Sequence, residues 1–128
     1  MTNLARIFKT KTFLRWQKKA LISDSQLIEA IQEIQKGSID ADLGSGLIKK
    51  RIARSGSGKS SGFRTLVATN NTDKWFFVFG FAKNEKDNIE AGFLSFLKKF
   101  SKLLLVKNAA ELNKMLVTRE LMEITDAK

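Results

Sequence analysis

The fold is decided by three hydrophobic runs in the middle of the chain: LIKKRIA at residues 47–53, FRTLVAT at 63–69 and WFFVFGFA at 75–82. Their content of β-branched and aromatic residues favours strands. The connectors are short, a Gly/Ser loop at 55–62 and a polar turn at 70–73. Parallel pairing would need a crossover of about a dozen residues or more, so the three runs are predicted to form an antiparallel meander. The third run is apolar on both faces and is predicted to lie inside the sheet, covered by helices.

The N-terminal part of the chain predicts one more strand and two helices. Residues 4–9 are predicted as a short strand, and Thr12 is placed to cap the helix that follows. Ser23 and Gln26 have the spacing of a capping box and open a second helix. Gly37 is expected to end it, since glycine reaches positive φ without strain. Two helices joined so tightly are predicted to form an antiparallel hairpin.

Two further helices are predicted after the meander, with Asn88 and Asn108 as their N-caps. The first has a wide apolar stripe, which is explained more simply as core than as a ligand site: Ile89, Phe93, Phe96, Leu97, Phe100, Leu103 and Leu104. Residues 121–124 belong either to the end of the second helix or to a short strand, and the pattern leaves both open.

Together these elements predict an α+β fold. An N-terminal helical hairpin packs on a small, mostly antiparallel sheet, and C-terminal helices follow. The length of 128 residues predicts one domain over 1–128. Its core is expected at about 4–105, with a C-terminal helical extension at 106–128.

The residue types that are missing exclude several kinds of chemistry. The chain has no Cys and no His. Disulfides, thiol nucleophiles and the most common transition-metal ligand are therefore absent, and we predict no metal and no cofactor. Any catalysis would have to use Lys, Arg, carboxylates or hydroxyls. No apolar run approaches the about 20 residues of a membrane helix, so we predict a cytoplasmic protein without a membrane partner.

Positive charge is concentrated in one part of the chain. The formal net charge is +10, and residues 43–72 contain only basic residues among their charged side chains: Lys49, Lys50, Arg51, Arg54, Lys59 and Arg64. A block without a compensating acid, interleaved with Gly and Ser, is less typical of an ordinary solvated face. It favours a polyanionic partner such as nucleic acid.

A phosphate-loop motif is nearly present but lies in the wrong context. Residues 53–60, ARSGSGKS, differ from the Walker A pattern in having Ala53 in place of the first Gly. A true phosphate loop leads into a helix, whereas this one leads into the predicted strand 63–69. Nucleotide hydrolysis is therefore not predicted, although a flexible Gly/Ser backbone beside Lys59 suits a nucleic-acid phosphate.

Strand alternation sorts the basic residues onto faces. Lys49 and Arg51 share one face of their strand, and Lys50 lies on the other. Arg64 begins the next strand, and Lys83 follows the third strand just beyond Phe81. An antiparallel sheet would gather four of these residues into one concave basic patch: Lys49, Arg51, Arg64 and Lys83. Phe63, Trp75 and Phe81 lie nearby in sequence and are candidates for stacking on bases, although core is the simpler role for each.

Three segments of the chain resemble the RelE/HigB-type toxins of bacterial toxin–antitoxin modules. These are GLIKKRIA at 46–53, GKSSGFR at 58–64 and FAKNE at 81–85. The resemblance covers about residues 4–105. It implies a small endoribonuclease that enters the ribosomal decoding site and cuts mRNA. It also implies a cognate antitoxin, often with a helix-turn-helix domain, through which alone operator DNA would be contacted.

The resemblance also implies roles for individual residues. Basic residues at Lys49, Arg51 and Arg64 would engage the scissile phosphate, and Lys83 completes the predicted catalytic group. The predicted RNA contacts are Lys50, Arg54, Lys59, Phe81 and Glu85. The chain has no Tyr, so the tyrosine used for stacking and proton transfer by some members of the family has no counterpart.

Lys and Arg can perform the chemistry that this resemblance implies. Attack by a ribose 2′-OH on its own 3′-phosphate builds negative charge, which Arg and Lys stabilise. A lysine crowded by other cations is a reasonable proton acceptor, because its charged form is disfavoured there, and Lys49 is the first candidate. Glu85 is a weaker one. A ribosome that orders the mRNA for in-line attack would explain a site without histidine.

The same charge and fold are also compatible with functions that do not cut RNA. One is a gyrase poison of the ParE type, and another is a basic module that only binds RNA. A DNA-binding regulator is a weaker alternative, because no recognition-helix pattern rich in surface Arg, Asn and Gln stands out.

Overall fold

The computed structural model describes residues 5–53, 62–82 and 90–125 of the chain. Within these residues a six-stranded sheet is combined with four helices, which confirms a mixed α and β fold. The strands are β1 (Arg6–Thr10), β2 (Ala41–Gly44), β3 (Leu47–Ile52), β4 (Phe63–Thr69), β5 (Lys74–Ala82) and β6 (Leu121–Ile124). The helices are α1 (Lys11–Ala20), α2 (Asp24–Gln35), α3 (Ala91–Leu105) and α4 (Ala109–Val117).

The predicted meander is confirmed as the antiparallel strands β3, β4 and β5. The order of the whole sheet is β2-β3-β4-β5-β1-β6. β1, the first strand of the described residues, pairs with β5 in parallel, and β6 pairs antiparallel with β1. Residues 121–124, whose structure the pattern had left open, are therefore a strand.

The hairpin of β2 and β3 was not predicted. β2 has only four residues, ADLG, and their composition is poor in strand formers. Ser45 and Gly46 form a two-residue turn with φ of 59° and 80°. Positive φ at both central positions is the geometry that matches the twist of two antiparallel strands.

One face of the sheet is covered by α1 and α2 and is called the α1/α2 face. Its core is formed by residues of both helices and of the sheet: Phe13, Leu27, Ile31 and Ile34 with Ile48, Ile52, Phe63, Val67, Trp75 and Phe77. α1 contacts mainly β5, whereas α2 contacts β3. The structure does not confirm the predicted hairpin as a packed unit, because each helix is held mainly by a different strand of the sheet.

The opposite face is covered by α3 and α4 and is called the α3/α4 face. Its core also combines helix and sheet residues: Leu97, Leu104 and Leu112 with Phe8, Leu47, Leu66, Ala68, Phe76, Val78 and Leu121. Phe96 and Leu103 were predicted as core, but they are 57% and 60% exposed. α3 is a single helix over the sheet, and its apolar stripe is wider than the surface it can bury there.

Three of the helix-end predictions are confirmed and one is wrong. Ser23 with Gln26, and Asn108 with Glu111, form capping boxes. After α2 the N–H of Gly37 donates to Ile34, and the N–H of Ser38 to Glu33, which closes the helix in a Schellman motif.

The N-cap of α1 is Thr10, not Thr12. Its side chain accepts a hydrogen bond from the N–H of Phe13. The reason is that β1 runs directly into the helix, so Thr10 ends the strand and caps the helix while Thr12 is already in the first turn. The residue that precedes α3 is Glu90, without a side-chain capping bond. Asn88, the predicted cap, lies outside the described residues.

A buried lysine ties β1 to the start of α2. Lys9 is 7% exposed, and its ammonium lies 3.0 Å from Oδ1 of Asp24. Gln17 donates to the same oxygen at 2.9 Å and to the carbonyl of Ile22. Burial raises the pKa of Asp24, but the hydrogen bonds from Gln17 and Lys9 outweigh it, so the pKa lies below its ordinary value.

We predict that Asp24→Ala destabilises the fold by about 1–2 kcal/mol at neutral pH, because Lys9 and Gln17 lose their acceptor. Since folding lowers the pKa of Asp24, its contribution is present above the unfolded pKa of about 4 and is lost as the pH falls further. Urea denaturation at pH 7 and pH 3 should show the difference from wild type shrinking at pH 3. Glu29→Ala, an exposed carboxylate on the same helix, is the control. A constant difference would contradict the assignment.

Gly80 in β5 lies beneath the indole ring of Trp16, and a Cβ there would collide with Cε3 and Cζ3 of that ring. We predict that Gly80→Ala destabilises the fold by about 1–3 kcal/mol, because α1 has to move away from the sheet. Gly92 has open space at its Cβ position, so Gly92→Ala is expected to stabilise α3 by up to about 1 kcal/mol. Thermal unfolding of both variants measures this. Equal changes in stability at the two positions would show that the packing of Trp16 does not require a glycine at residue 80.

Candidate functional site

A row of side chains crosses three strands on the α3/α4 face. Arg51 of β3 lies directly opposite Arg64 of β4, and Arg64 lies opposite Phe81 of β5. Lys49 precedes Arg51 by two residues and therefore shares its face. Residues opposite each other in an antiparallel pair have Cβ atoms about 5 Å apart, so the two guanidinium groups start from neighbouring positions. The basic row is defined as Lys49, Arg51 and Arg64.

Arg64 is the most constrained member of the basic row. Its side chain is 16% exposed, and its Nε lies 3.2 Å from Oδ2 of Asp40. Asp40 is itself anchored to the sheet, since its N–H donates to the carbonyl of Lys49 at 2.8 Å. Within the described part of the chain, Nη1 of Arg64 is buried without a hydrogen-bond partner. Asp40 therefore holds the guanidinium by one nitrogen and leaves another without an acceptor.

Lys49 and Arg51 are more accessible than Arg64. Lys49 is half-buried and Arg51 is exposed. Among the ion pairs of the described residues, neither has a carboxylate partner. Two cations without a carboxylate partner among the described residues, beside a held guanidinium, have the chemistry to bind an anion with several charged oxygens, such as a phosphodiester.

Two of the predicted RNA contacts are buried in the fold. Lys50 faces α2, is 5% exposed, and binds Glu33 at 2.7 Å and Ser38 at 3.1 Å. Its ammonium is occupied by a structural role on the α1/α2 face. Phe81 lies next to Arg64 in the sheet, but it is 4% exposed and packs against Phe79, so its ring is too buried for a base to stack on it.

Four predicted site residues lie outside the described residues: Arg54, Lys59, Lys83 and Glu85. The described strands that flank them end side by side, since Ile52 pairs with Phe63 and Phe63 pairs with Ala82. The basic row lies at this same end of the sheet. Asp40 was missed by sequence reasoning, because it precedes a strand that the pattern did not reveal and is distant in sequence from Arg64.

One surface cavity borders the basic row, and an apolar groove lies beside α3. The first, of about 630 Å³, lies between α2 and β3, and its lining includes Arg51 and Asp40 together with Glu29 and Glu33. Its mixed charges make it a poor site for a polyanion. The second is an apolar groove of about 450 Å³ beside α3, to which β5 contributes Val78 and Phe79.

The described residues contain neither an acidic metal-binding cluster nor a membrane-spanning helix. No group of three or more Asp or Glu side chains is placed to hold a metal ion among them. None of the helices in the described ranges is long and apolar enough to cross a membrane.

A family model described as "RelE toxin of RelE / RelB toxin-antitoxin system" matches residues 5–124. The chain belongs to the RelE toxin family, as the motifs in its sequence had indicated, and a cognate antitoxin is its expected partner. No curated protein matches the chain.

We predict that Asp40→Ala destabilises the fold by about 1–2 kcal/mol, because the buried guanidinium of Arg64 loses its acceptor while Arg51 still faces it. The loss should be smaller in an Arg51→Ala background, where one of the two facing charges is gone. Denaturation of the four proteins of this double-mutant cycle measures the coupling between the two positions. A coupling of zero would show that the two guanidinium groups do not influence each other through Asp40.

Proposed function

We propose that this toxin is an endoribonuclease that cuts mRNA on the ribosome and thereby stops translation. The observation that carries the proposal is the basic row, in which Arg51 and Arg64 lie directly opposite each other with Lys49 on the same face. Membership of the RelE family supports the toxin role. Three cations gathered at one end of a rigid sheet match the charge that develops on a phosphate during cleavage.

Each member of the basic row has a distinct role in the proposed cleavage. Arg51 is exposed and binds the scissile phosphate as the RNA arrives. Arg64, oriented by Asp40, donates from its free nitrogen to an oxygen of the phosphorane, where the negative charge increases. Lys49, which lies on the same face as the two guanidinium groups, is the proposed acceptor of the proton of the ribose 2′-OH.

The proposed reaction is an internal displacement at phosphorus. The 2′-oxygen forms a bond to phosphorus, and the bond to the 5′-oxygen of the next nucleotide breaks. The products are a 2′,3′-cyclic phosphate and a 5′-hydroxyl, and the leaving oxygen takes up one proton. The basic row binds the phosphate and neutralises its negative charge. The ribosome, which holds the mRNA, would supply the in-line geometry.

The wider setting of the protein is part of the same proposal. The antitoxin is proposed to carry a helix-turn-helix domain, and operator DNA would be contacted only through it. The site of action would be the cytoplasm, where ribosomes and mRNA are found. Residues 1–128 are proposed to act as one domain, and Lys83, Arg54, Lys59 and Glu85 remain candidates for further contacts with RNA.

We predict that Arg51→Ala and Lys49→Ala each lower the rate of mRNA cleavage by about 100-fold or more, because each removes a group that acts on the reacting phosphate. Primer extension on a translated mRNA measures the cleavage, and growth arrest on expression of the toxin alone reports it in cells. Arg15→Ala is the matched control, since Arg15 is an exposed arginine on α1. Its activity should equal that of the wild type.

Three outcomes would contradict this proposal. Full toxicity in a Lys49→Ala, Arg64→Ala double variant would exclude the basic row as the active site. DNA damage with intact translation would instead point to a gyrase poison. Binding of RNA without the appearance of cyclic-phosphate ends would reduce the function to binding alone.

A further inference from the structure

β6 is an edge strand of the sheet, and within the described residues no strand pairs with its outer side. In an antiparallel pair, alternate residues point their backbone N–H and C=O groups away from the neighbouring strand. On the side of β6 that faces away from β1, these groups therefore have no strand partner among the described residues. The open groups of an edge strand are a template on which another strand can pair.

The two edges of the sheet are protected to different degrees. β2, at the other edge, has an irregular register between Asp42 and Gly44, and Asp42 is exposed. Bulges and charged side chains are common means by which an edge strand avoids pairing with another chain. β6 pairs with β1 in regular register, and its one charged residue, Glu123, accepts two hydrogen bonds from Arg6 at 2.9 Å. The edge at β6 therefore has neither an irregular register nor a free charge.

A groove of about 540 Å³ lies at this edge and is called the β6 groove. α1 contributes Leu14 to its lining, α4 contributes Leu116, and β6 itself contributes Leu121 and Met122. Because α1 and α4 cover opposite faces of the sheet, the groove has a helix on either side of the strand edge. A strand that pairs with β6 would therefore bury apolar side chains on both of its own faces.

The charges around the β6 groove favour a second copy of this chain as the partner. The net charge is +10, so two copies repel each other wherever basic residues dominate their surfaces. Residues 109–124, which include α4 and β6, contain two basic and three acidic residues: Lys114 and Arg119 with Glu111, Glu120 and Glu123. The lining of the groove also contains both signs, Lys11 and Arg119 with Glu123. A surface that has both signs can be complementary to itself across a twofold axis.

We propose that two copies of the toxin associate by antiparallel pairing of β6 with β6. A twofold axis near the middle of the strand would bring the same residues of both copies together, as is usual in homodimers. The two sheets would become one continuous sheet, and the apolar side chains of the two β6 grooves would cover each other. The basic row lies on β3 and β4, separated from β6 by β5 and β1, so this pairing leaves it uncovered. The proposal therefore does not depend on the proposed cleavage of RNA.

Sedimentation equilibrium of the toxin, purified free of antitoxin, measures the association. The wild type should form a dimer. Met122→Lys should raise the dissociation constant of the dimer by about 10-fold or more, because each copy would bring an uncompensated charge into the strand pair. Leu103→Lys is the control, since Leu103 is an exposed apolar residue of α3, and its dissociation constant should stay within about 2-fold of the wild type. Thermal unfolding checks that both variants are folded.

Amide hydrogen exchange of the wild type tests the same interface without a substitution. Protection of the β6 amides should rise with protein concentration, while protection of β2, the other edge, should stay constant. The proposal is overturned by a wild type that stays monomeric, by a dimer that the Leu103 control abolishes, or by β6 protection that does not rise as the dimer forms.

The antitoxin provides one further outcome. Protection of β6 that appears only when purified cognate antitoxin is added would assign the edge to a strand of the antitoxin, and it would also overturn the proposal. A toxin that dimerises through β6 but cuts no RNA would leave this proposal standing and remove only the proposed cleavage.

Discussion

One extra residue in β5 determines which side chains reach each face of the sheet. Val67 pairs with Phe77, whereas the preceding residue of β4, Leu66, pairs with Phe79, so that Val78 forms a bulge. Phe77 packs in the core of the α1/α2 face and Val78 in that of the α3/α4 face. Strict alternation would return Phe79 to the α1/α2 face. The bulge keeps it on the α3/α4 face.

Beyond the bulge the alternation of side chains along β5 is reversed. This reversal determines which residues of the strand lie on each face of the sheet. On the α1/α2 face it presents Gly80, whose missing side chain makes room for Trp16. On the α3/α4 face it presents Phe79 to Phe93 of α3, and it brings Phe81 beside Arg64. Because both faces are buried, a slip of one residue would expose apolar side chains and bury cations. The position of the basic row is therefore fixed by packing along the whole meander.

The sequence was informative where local chemistry decides the structure. The three strands of the meander, the capping boxes at Ser23 and Asn108, and the end of α2 at Gly37 follow from residues close together in the chain. β2 and the bulge depend on partners in other strands, so no local sequence pattern predicts them. Thr10 was missed as a cap because strand and helix meet without a loop.

For the candidate site, too, the sequence predicted the features that follow from the strands themselves and missed those that depend on distant partners. Alternation correctly placed Lys49 and Arg51 on one face and Lys50 on the other, and the antiparallel meander brought Arg64 opposite Arg51. The alternation of side chains along a strand does not show which helix or loop covers each face of the sheet. The engagement of Lys50 by Glu33, and of Arg64 by Asp40, depends on where α2 ends and β2 begins, which the pattern of the strands does not contain.

The ion pairs of the described residues determine which basic side chains of this chain, whose net charge is +10, keep an uncompensated charge. Three acids bind cations that the fold has buried: Asp24 with Lys9, Glu33 with Lys50, and Asp40 with Arg64. In each pair the basic side chain is 6–16% exposed and the acidic one 30–50% exposed. A buried cation without a partner is costly, so these acids are held where packing needs them. They neutralise charge inside the molecule and leave Lys49 and Arg51 without carboxylate partners among the described residues. The same packing that buries the neighbouring cations thus leaves these two charges available to the proposed RNA substrate.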